Sequence, residues 1–533
     1  METTIAWIDR EMASDARTNC KRRAFRQVQR SARLQIPLLE KEFDMELKLK
    51  SSTSEPGTTA REFASRNPVA GGALVTLSLS TLLSSLGTSI ANVGLPTLAQ
   101  AFNASFQEVQ WVVLAYLLVI TTLVVAVGRI ADLFGRRRIL LAGIFLFTFA
   151  SVLCGFAPTL WLLIAARSVQ GLGAAAMLAL TMAFVAETVP KERTGSAMGL
   201  LGTMSAVGTA LGPTLGGVLI AGLGWQAMFL INVPLGTLAM YLALRYLPAD
   251  SARPRSDAHG LDLPGTVLLA VTLAAYALAM TMGGGNFGVP NLVLLFAAVV
   301  GVGLFVWAQA RAASPLVRLT LMRNPLLSTG FAMSTLVTTV VMATLVVGPF
   351  YLSGALGLDA VQVGLVMSCG PVVAALTGMP AGRLVDRFGA YRVILTGLIA
   401  MVIGTCILPL MPPSLGIPGY VAPLAVITAG FALFQAANNT TVMTDISADQ
   451  RGVVSGLLNL SRNLGLITGA SVMGAVFALG TATSNLMVAS PQAVAAGMRA
   501  TFLAAAALTF VALALALAGQ NLARHSNPSG PRK

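Results

Sequence analysis

Charge is scarce in this chain. Asp, Glu, Lys and Arg make up 11% of its 533 residues against 55% hydrophobic, and the mean hydropathy is +0.77. So little charge cannot coat a soluble body of this size, so lipid must serve as much of its solvent. Histidine is scarcer still. Its two copies, His259 and His525, fall in polar connecting or terminal sequence, which argues against a histidine-based catalytic or zinc site. Cys20, Cys154, Cys369 and Cys406 stand singly, without metal-ligand or redox spacing, so no disulfide framework and no metal site are expected. A GxxxxGK[ST] loop is missing, which argues against a pump that carries its own ATP motor. Gly171-Leu172-Gly173 looks like a dinucleotide loop only on the surface, because it lies inside an apolar run rather than after a strand. No nucleophile, base or metal constellation marks an enzyme. The formal charge of +14 sits mainly in the first 66 residues and in short connectors, a pattern of membrane orientation rather than of nucleic-acid binding.

What the chain does have is length in apolar runs. From Ala70 onward there are fourteen, at about 71–96, 109–128, 139–157, 160–186, 196–220, 226–247, 264–282, 290–309, 327–352, 361–382, 392–411, 420–443, 452–479 and 498–518. Each is near the roughly 20 residues that an α-helix needs to cross a bilayer. They lack the period-2 alternation of a membrane barrel, so helices are predicted. Cations follow the even-numbered runs, among them Arg136 to Arg138, Arg245, Arg311, Arg383 and Arg451, whereas the connectors after odd-numbered runs carry Glu108, Asp359 and Arg499. That asymmetry predicts two cytoplasmic termini in a multi-pass protein of the cell membrane.

The runs are duplicated. Gly128 to Arg138 (GRIADLFGRRR) returns as Gly382 to Arg392 (GRLVDRFGAYR), and Glu187 to Arg193 (ETVPKER) as Asp445 to Arg451 (DISADQR). The predicted fold class is all-α integral membrane, with two six-helix bundles related by pseudo-two-fold symmetry plus two inserted transmembrane helices. The divisions follow: residues 1–69 a polar, disordered cytoplasmic tail, 70–250 the first bundle, 251–324 a linker holding the inserted pair, 325–520 the second bundle and 521–533 a short tail. Within the first tail, Cys20 to Leu39 could instead form a basic helix on anionic headgroups, and Met45 is an alternative start.

Three blocks carry chemistry. In Gly128 to Arg138 the two glycines Gly128 and Gly135 permit a tight turn, and Asp132 can cap a helix or pair with a cation such as Arg136. Arg167 lies inside the fourth run, with Gln170 one turn on. An arginine at that depth costs about 2.5 to 3.5 kcal/mol, which implies a partner or a watery cavity. Gly208, Gly212, Pro213, Gly216 and Gly217 let the fifth helix pack closely and bend.

These three blocks resemble the signature motifs of the major facilitator superfamily, and specifically its fourteen-helix drug:proton antiporters; Leu86 to Pro96 and Trp225 to Gly236 are similar to that branch's first- and sixth-span motifs. The resemblance covers residues 70–518. It implies that Asp132, Arg136 and Glu187, with Gly128, Gly135 and, in the second copy, Asp386, form a cytoplasmic charge latch. It further implies that Arg167 belongs to a proton-responsive network and that Gly208 to Gly217 is a hinge. Two positions depart from the pattern: Gly87 stands where the branch has an aspartate, and Gln226 where an arginine is common. Leu247 to Asp250 replaces the Pro-Glu-Ser motif of sugar importers, which disfavours sugar uptake.

Polar stripes suggest the cavity. Ser78, Thr81, Ser85, Thr88, Ser89 and Asn92 follow the first helix, Gln435, Asn438 and Asn439 the twelfth, and Asn459, Arg462 and Asn463 the thirteenth. Helix-to-helix hydrogen bonding is the better reading for the hydroxyl stripe. Arg167, Gln170 and Arg462 are the expected proton and substrate network, and no Asp or Glu lies deep in any run. The cavity is therefore expected to favour neutral or anionic amphipathic substrates over dications. The function expected is secondary active, proton-coupled export of small amphipathic compounds by alternating access, with no cofactor beyond the proton gradient and with lipid, substrate and protons as partners. A dedicated exporter or uncoupled facilitator of one metabolite, and a non-transporting receptor or scaffold, are the alternatives. A periplasmic adaptor is compatible with the sequence but not indicated by it.

Overall fold

The computed structural model describes residues 68–188, 194–248, 262–282, 288–312, 315, 324–443, 451–482 and 489–526. Residues 1–67, 249–261 and 316–323 are among those that lie outside these. The described residues hold no strand. Their principal helices are α1 Pro68–Val93, α2 Phe106–Phe134, α3 Arg136–Gly155, α4 Leu160–Thr188, α5 Thr194–Leu223, α6 Asn232–Tyr246, α7 Leu263–Thr281, α8 Val289–Arg311, α9 Pro325–Gly354, α10 Ala360–Phe388, α11 Ala390–Ile407, α12 Gly416–Met443, α13 Arg451–Thr468 and α14 Pro491–Ser526. Among the described residues, 13 helices are long and apolar enough to cross a membrane. The remaining one is α5, where the apolar stretch Val207–Leu223 is shorter.

Local chemistry repeats along with the motifs. Ser105 begins α2 with a capping box: its hydroxyl accepts from Glu108 N at 3.3 Å, and its own N donates to the Glu108 carboxylate at 2.7 Å. Asp359 and Gln362 build the same box at the start of α10. The offset from Ser105 to Asp359 is 254, equal to that from Gly128 to Gly382. The turns that end α2 and α10 match too. Gly135 and Gly389 have φ of 103° and 84°, a region closed to most L side chains, so glycine is required at each.

Two spans depart from simple helices. The sixth run divides into Ala227–Leu230 and Asn232–Tyr246. Pro234 has no N–H for the Leu230 carbonyl and sits in the first turn of the second piece, and the Asn232 side chain donates back to Phe229 O at 3.2 Å. The thirteenth run continues from α13 through a π-helical turn, Gly469–Met473, into Gly474–Thr481.

The inserted pair is bound at both ends. The Asp262 carboxylate at the start of α7 accepts from Gln309 Nε2 of α8 at 2.6 Å, and Asn291 Nδ2 donates to the Ala279 and Met282 carbonyls at 2.8 Å each. The pair also touches both bundles. Trp111 Nε1 of α2 donates to Thr281 Oγ1 at 3.0 Å, and Tyr276 OH of α7 to Thr468 Oγ1 of α13 at 3.3 Å. Insertion between the bundles was legible from the repeat; its seat along the α2–α13 seam was not. The α8 face turned from the protein is apolar, with Phe296 71% and Trp307 55% exposed, as a lipid-facing surface must be.

Candidate functional site: the seam between the bundles

Short connectors make successive spans run in opposite directions, so one end of the molecule, here called proximal, carries Pro68, the α2–α3 turn and Ser526; the other is distal. The bundles lock together in their distal halves. Gln110 Nε2 of α2 donates to the Ala470 carbonyl at 2.9 Å, in the π turn of the thirteenth span. A π turn shifts the local backbone pairing and re-aims a carbonyl, and this one is taken up by the other bundle. Phe106 meets Phe350 edge-on with centroids 4.7 Å apart, and lies tilted against Phe477 with centroids 5.3 Å apart. On the other side of the seam, Thr214 of α5 hydrogen-bonds Ser368 of α10. A Cβ at Gly217 would stand 2.5 Å from the Ala360 carbonyl oxygen and 3.2 Å from Gly364 Cα, so only glycine allows this backbone approach.

Toward the proximal end, α2, α10 and α13 carry glycines in open space. At Gly128 of α2, Gly378 and Gly382 of α10 and Gly456 in α13, nothing lies within 4 Å of where a Cβ would stand. The contacts described across the seam therefore fall in the distal halves of these helices.

The glycine block of α5 turns out to serve two neighbours. Gly208, Gly212 and Gly216 pack on α1, against Leu82 and Ser85, against Ser89 and Ile90, and against Val93 and Ile90. Gly217 and the Pro213 carbonyl face α10 instead. The hydroxyl stripe of α1 belongs largely to this packing. Ser85 bonds Ser205 at 2.8 Å, and Ser89 Oγ donates to Gly208 O at 3.2 Å; Thr81, Thr88 and Asn92 donate back to carbonyls of their own helix.

Arg167 is fully buried in the first bundle. Its Nε donates to Val112 O at 2.9 Å, and its Nη1 to Gly87 O at 3.1 Å and to Gln170 Oε1 at 2.5 Å. Gln170 in turn donates to Ser151 Oγ at 2.7 Å. The guanidinium carbon lies 4.1 Å from the centroid of the Tyr116 ring, a cation–π contact, and Nη2 has no hydrogen-bond partner. Where the family places an aspartate side chain, this chain offers the Gly87 carbonyl. Tyr116 and Ser151 were not foreseen; a tyrosine and a serine in apolar runs carry no signal until the fold sets them around the arginine.

Arg462 belongs to the second bundle and to a different cluster. With the Gln435 amide oriented to face it, the amide oxygen accepts from both Nη1 and Nη2 at 3.1 Å. Asn459 is exposed, and Asn463 and Asn439 are half-buried. Asn438 is turned away, buried, and donates to Gly330 O of α9 at 3.2 Å. The structure thus joins Arg167 to Gln170 and Arg462 to Gln435, and does not gather all of the predicted network in one place. The side chains of Asp132 and Glu187 lie outside the described residues. Asp386 stands exposed at the proximal end of α10, and Arg136 is half-buried at the start of α3. Gln110 was missed by sequence reasoning; a glutamine between Val109 and Trp111 in an apolar run was the available signal. No group of carboxylates, histidines and cysteines among the described residues could hold a metal.

Two bundles of long apolar helices, joined across a seam in their distal halves, are the frame of a multi-pass membrane transporter. The model of the Major Facilitator Superfamily matches residues 77–470, and the chain belongs to that superfamily. It is 33% identical over 404 residues to YebQ, an uncharacterized transporter of Escherichia coli (strain K12), covering 75% of this chain and 88% of that one. It is 33% identical over 408 residues to the multidrug resistance protein Stp of Mycobacterium tuberculosis, covering 76% of this chain and 75% of that one. The riboflavin transporter RibZ of Clostridioides difficile is 27% identical over 442 residues, covering 83% and 96%. Among solved structures, a bacterial homolog of the human lysosomal transporter Spinster, in an inward-facing and occupied conformation, shares the fold with a TM-score of 0.62 at 16% identity, covering 85% of this chain and 97% of that one.

Proposed function

We propose that the protein is a proton-driven exporter of small amphipathic compounds that works by alternating access, with both termini in the cytoplasm of a cell membrane crossed fourteen times. The observation that carries this reading is the seam. Helices α2, α5, α10 and α13 meet through single hydrogen bonds and glycine contacts in their distal halves, a narrow seam about which the bundles can rock to exchange one opening for the other. Orientation is supported by the proximal ends, where Arg245 lies over Tyr246 and Arg311 over Trp307, a cation and aromatic belt of the kind found at the cytoplasmic interface. In this reading Asp132, Arg136 and Glu187 form a cytoplasmic latch whose pairing changes as the opening passes from one end to the other. The names of the multidrug resistance protein Stp and the drug efflux pump JefA support export of drug-like compounds.

One observation favours a second reading, an exporter or facilitator of a single metabolite without proton coupling: no Asp or Glu is buried among the described residues. Everted membrane vesicles separate the two. If antiport operates, a transported compound added to vesicles with an acidic interior draws protons out and the interior becomes less acid; transport without proton movement selects the second reading. Asp132→Asn is expected to abolish export while the protein still inserts, and unchanged export would remove the latch from the account.

A further inference from the structure

The two intramembrane arginines do not do the same work. Arg167 spends its Nε and Nη1 donors on carbonyls and an amide inside its own bundle and is sealed beneath Tyr116 and Phe229. Arg462 is only half-buried, about 16 Å along its helix from Arg451 and therefore well inside the membrane. Both of its Nη groups meet a single neutral acceptor, Gln435 Oε1. No carboxylate pairs with it among the described residues. One amide oxygen cannot neutralise a cation or fill a guanidinium with five donors. The surroundings are also built for a ligand. Asn459 lies one turn from Arg462 on the same face of α13, and Asn439 lies one turn from Gln435 on the same face of α12. Asn439, Asn459 and Asn463 make no hydrogen bond among the described residues, so their amide donors are available.

We propose that Arg462, oriented by Gln435, is an anion-accepting subsite in the crevice, and that the compounds carried include amphipathic carboxylates whose carboxylate pairs with this guanidinium. Gln435 fixes the fork, the asparagine amides take the remaining lone pairs of the carboxylate, and the apolar tail lies along the crevice wall. A planar fork facing a planar carboxylate gives a bidentate pair, and a pair formed inside the membrane is screened little by salt. The charge is carried across the membrane with its partner attached, so the cost of burying Arg462 alone is offset in the loaded state. This rests on the transporter reading above and narrows its substrate class.

The test uses the purified full-length protein in proteoliposomes, read by counterflow so that the result does not depend on proton coupling. Three probes share one dansyl-undecyl tail and end in a carboxylate, a primary amide or a trimethylammonium group. Wild type is expected to move the carboxylate faster than the ammonium compound. In Arg462→Gln the carboxylate-to-amide ratio is expected to fall at least about tenfold, the scale of one charge-assisted hydrogen bond. Arg462→Lys, which keeps the charge without the fork, is expected to recover only part of the ratio, between Arg462→Gln and wild type. An unchanged ratio in Arg462→Gln overturns the proposal. So does a wild type that moves the amide and ammonium probes as well as the carboxylate, an outcome that leaves the exporter reading standing and needs no variant. A wild type that moves none of the three removes the amphipath-exporter reading and this one together.

Discussion

The repeated bundles invite a comparison of the cation buried in each. Arg167 in α4 and Arg462 in α13 are not copies of one another. At the repeat offsets of 254 to 258, Arg167 corresponds to the span from Val421 to Ala425 and Arg462 to the span from Met204 to Gly208, and neither holds a charge. One cation is enclosed by carbonyls, an amide and two rings; the other is half-buried and meets a single amide of its own bundle. The two bundles share turns and caps, but one holds its cation among several internal partners and the other leaves its cation with a single amide. The difference teaches that depth in the membrane does not by itself assign a role to an arginine. What its donors meet does.

Arg167→Met should show the largest effect, because it strands the Gly87 and Val112 carbonyls and the Gln170 amide; a loss of at least about 3 kcal/mol is expected, seen as a lower unfolding midpoint in detergent. A variant as stable as wild type would dissolve the comparison. Ser151→Ala leaves Gln170 Nε2 without its acceptor and should cost about 1 to 3 kcal/mol by the same measurement. In the second bundle, Gln435→Leu removes the only side chain that orients Arg462 among the described residues; the expected loss is about 1 kcal/mol in stability with a larger loss in carboxylate transport. Asn459→Ala, at an exposed amide without internal bonds, should change the unfolding midpoint by no more than about 0.5 kcal/mol equivalent, and a larger change would show that Asn459 is a packing residue.

Much of this was legible in the sequence. Long apolar runs have few ways to satisfy their backbone in lipid, so the helical spans could be read directly. Gly135 and Gly389 marked turns because positive φ selects glycine. The sorting of polar residues was not legible. Ser85, Ser89 and Asn438 lie on stripes that look like cavity linings, yet each is used to join helices, while Gln435, three positions from Asn438, faces Arg462. A helical stripe fixes which residues share a face but not which neighbour that face meets. Arg167 signalled that it needed partners without revealing that backbone carbonyls would supply them. Nor did the π turn announce itself, since no residue type demands one at Gly469–Met473.

The account stands on exchange between two openings, and spin-label distances test it most directly. Labels at Phe134→Cys and Gly456→Cys report the proximal ends of α2 and α13, and labels at Leu223→Cys and Leu356→Cys report the distal ends of α5 and α9, in protein cleared of its own cysteines. On adding the dansyl carboxylate, the proximal separation is predicted to shorten as the distal one lengthens. Two distances that stay fixed, or that change in the same direction, would contradict alternating access about this seam.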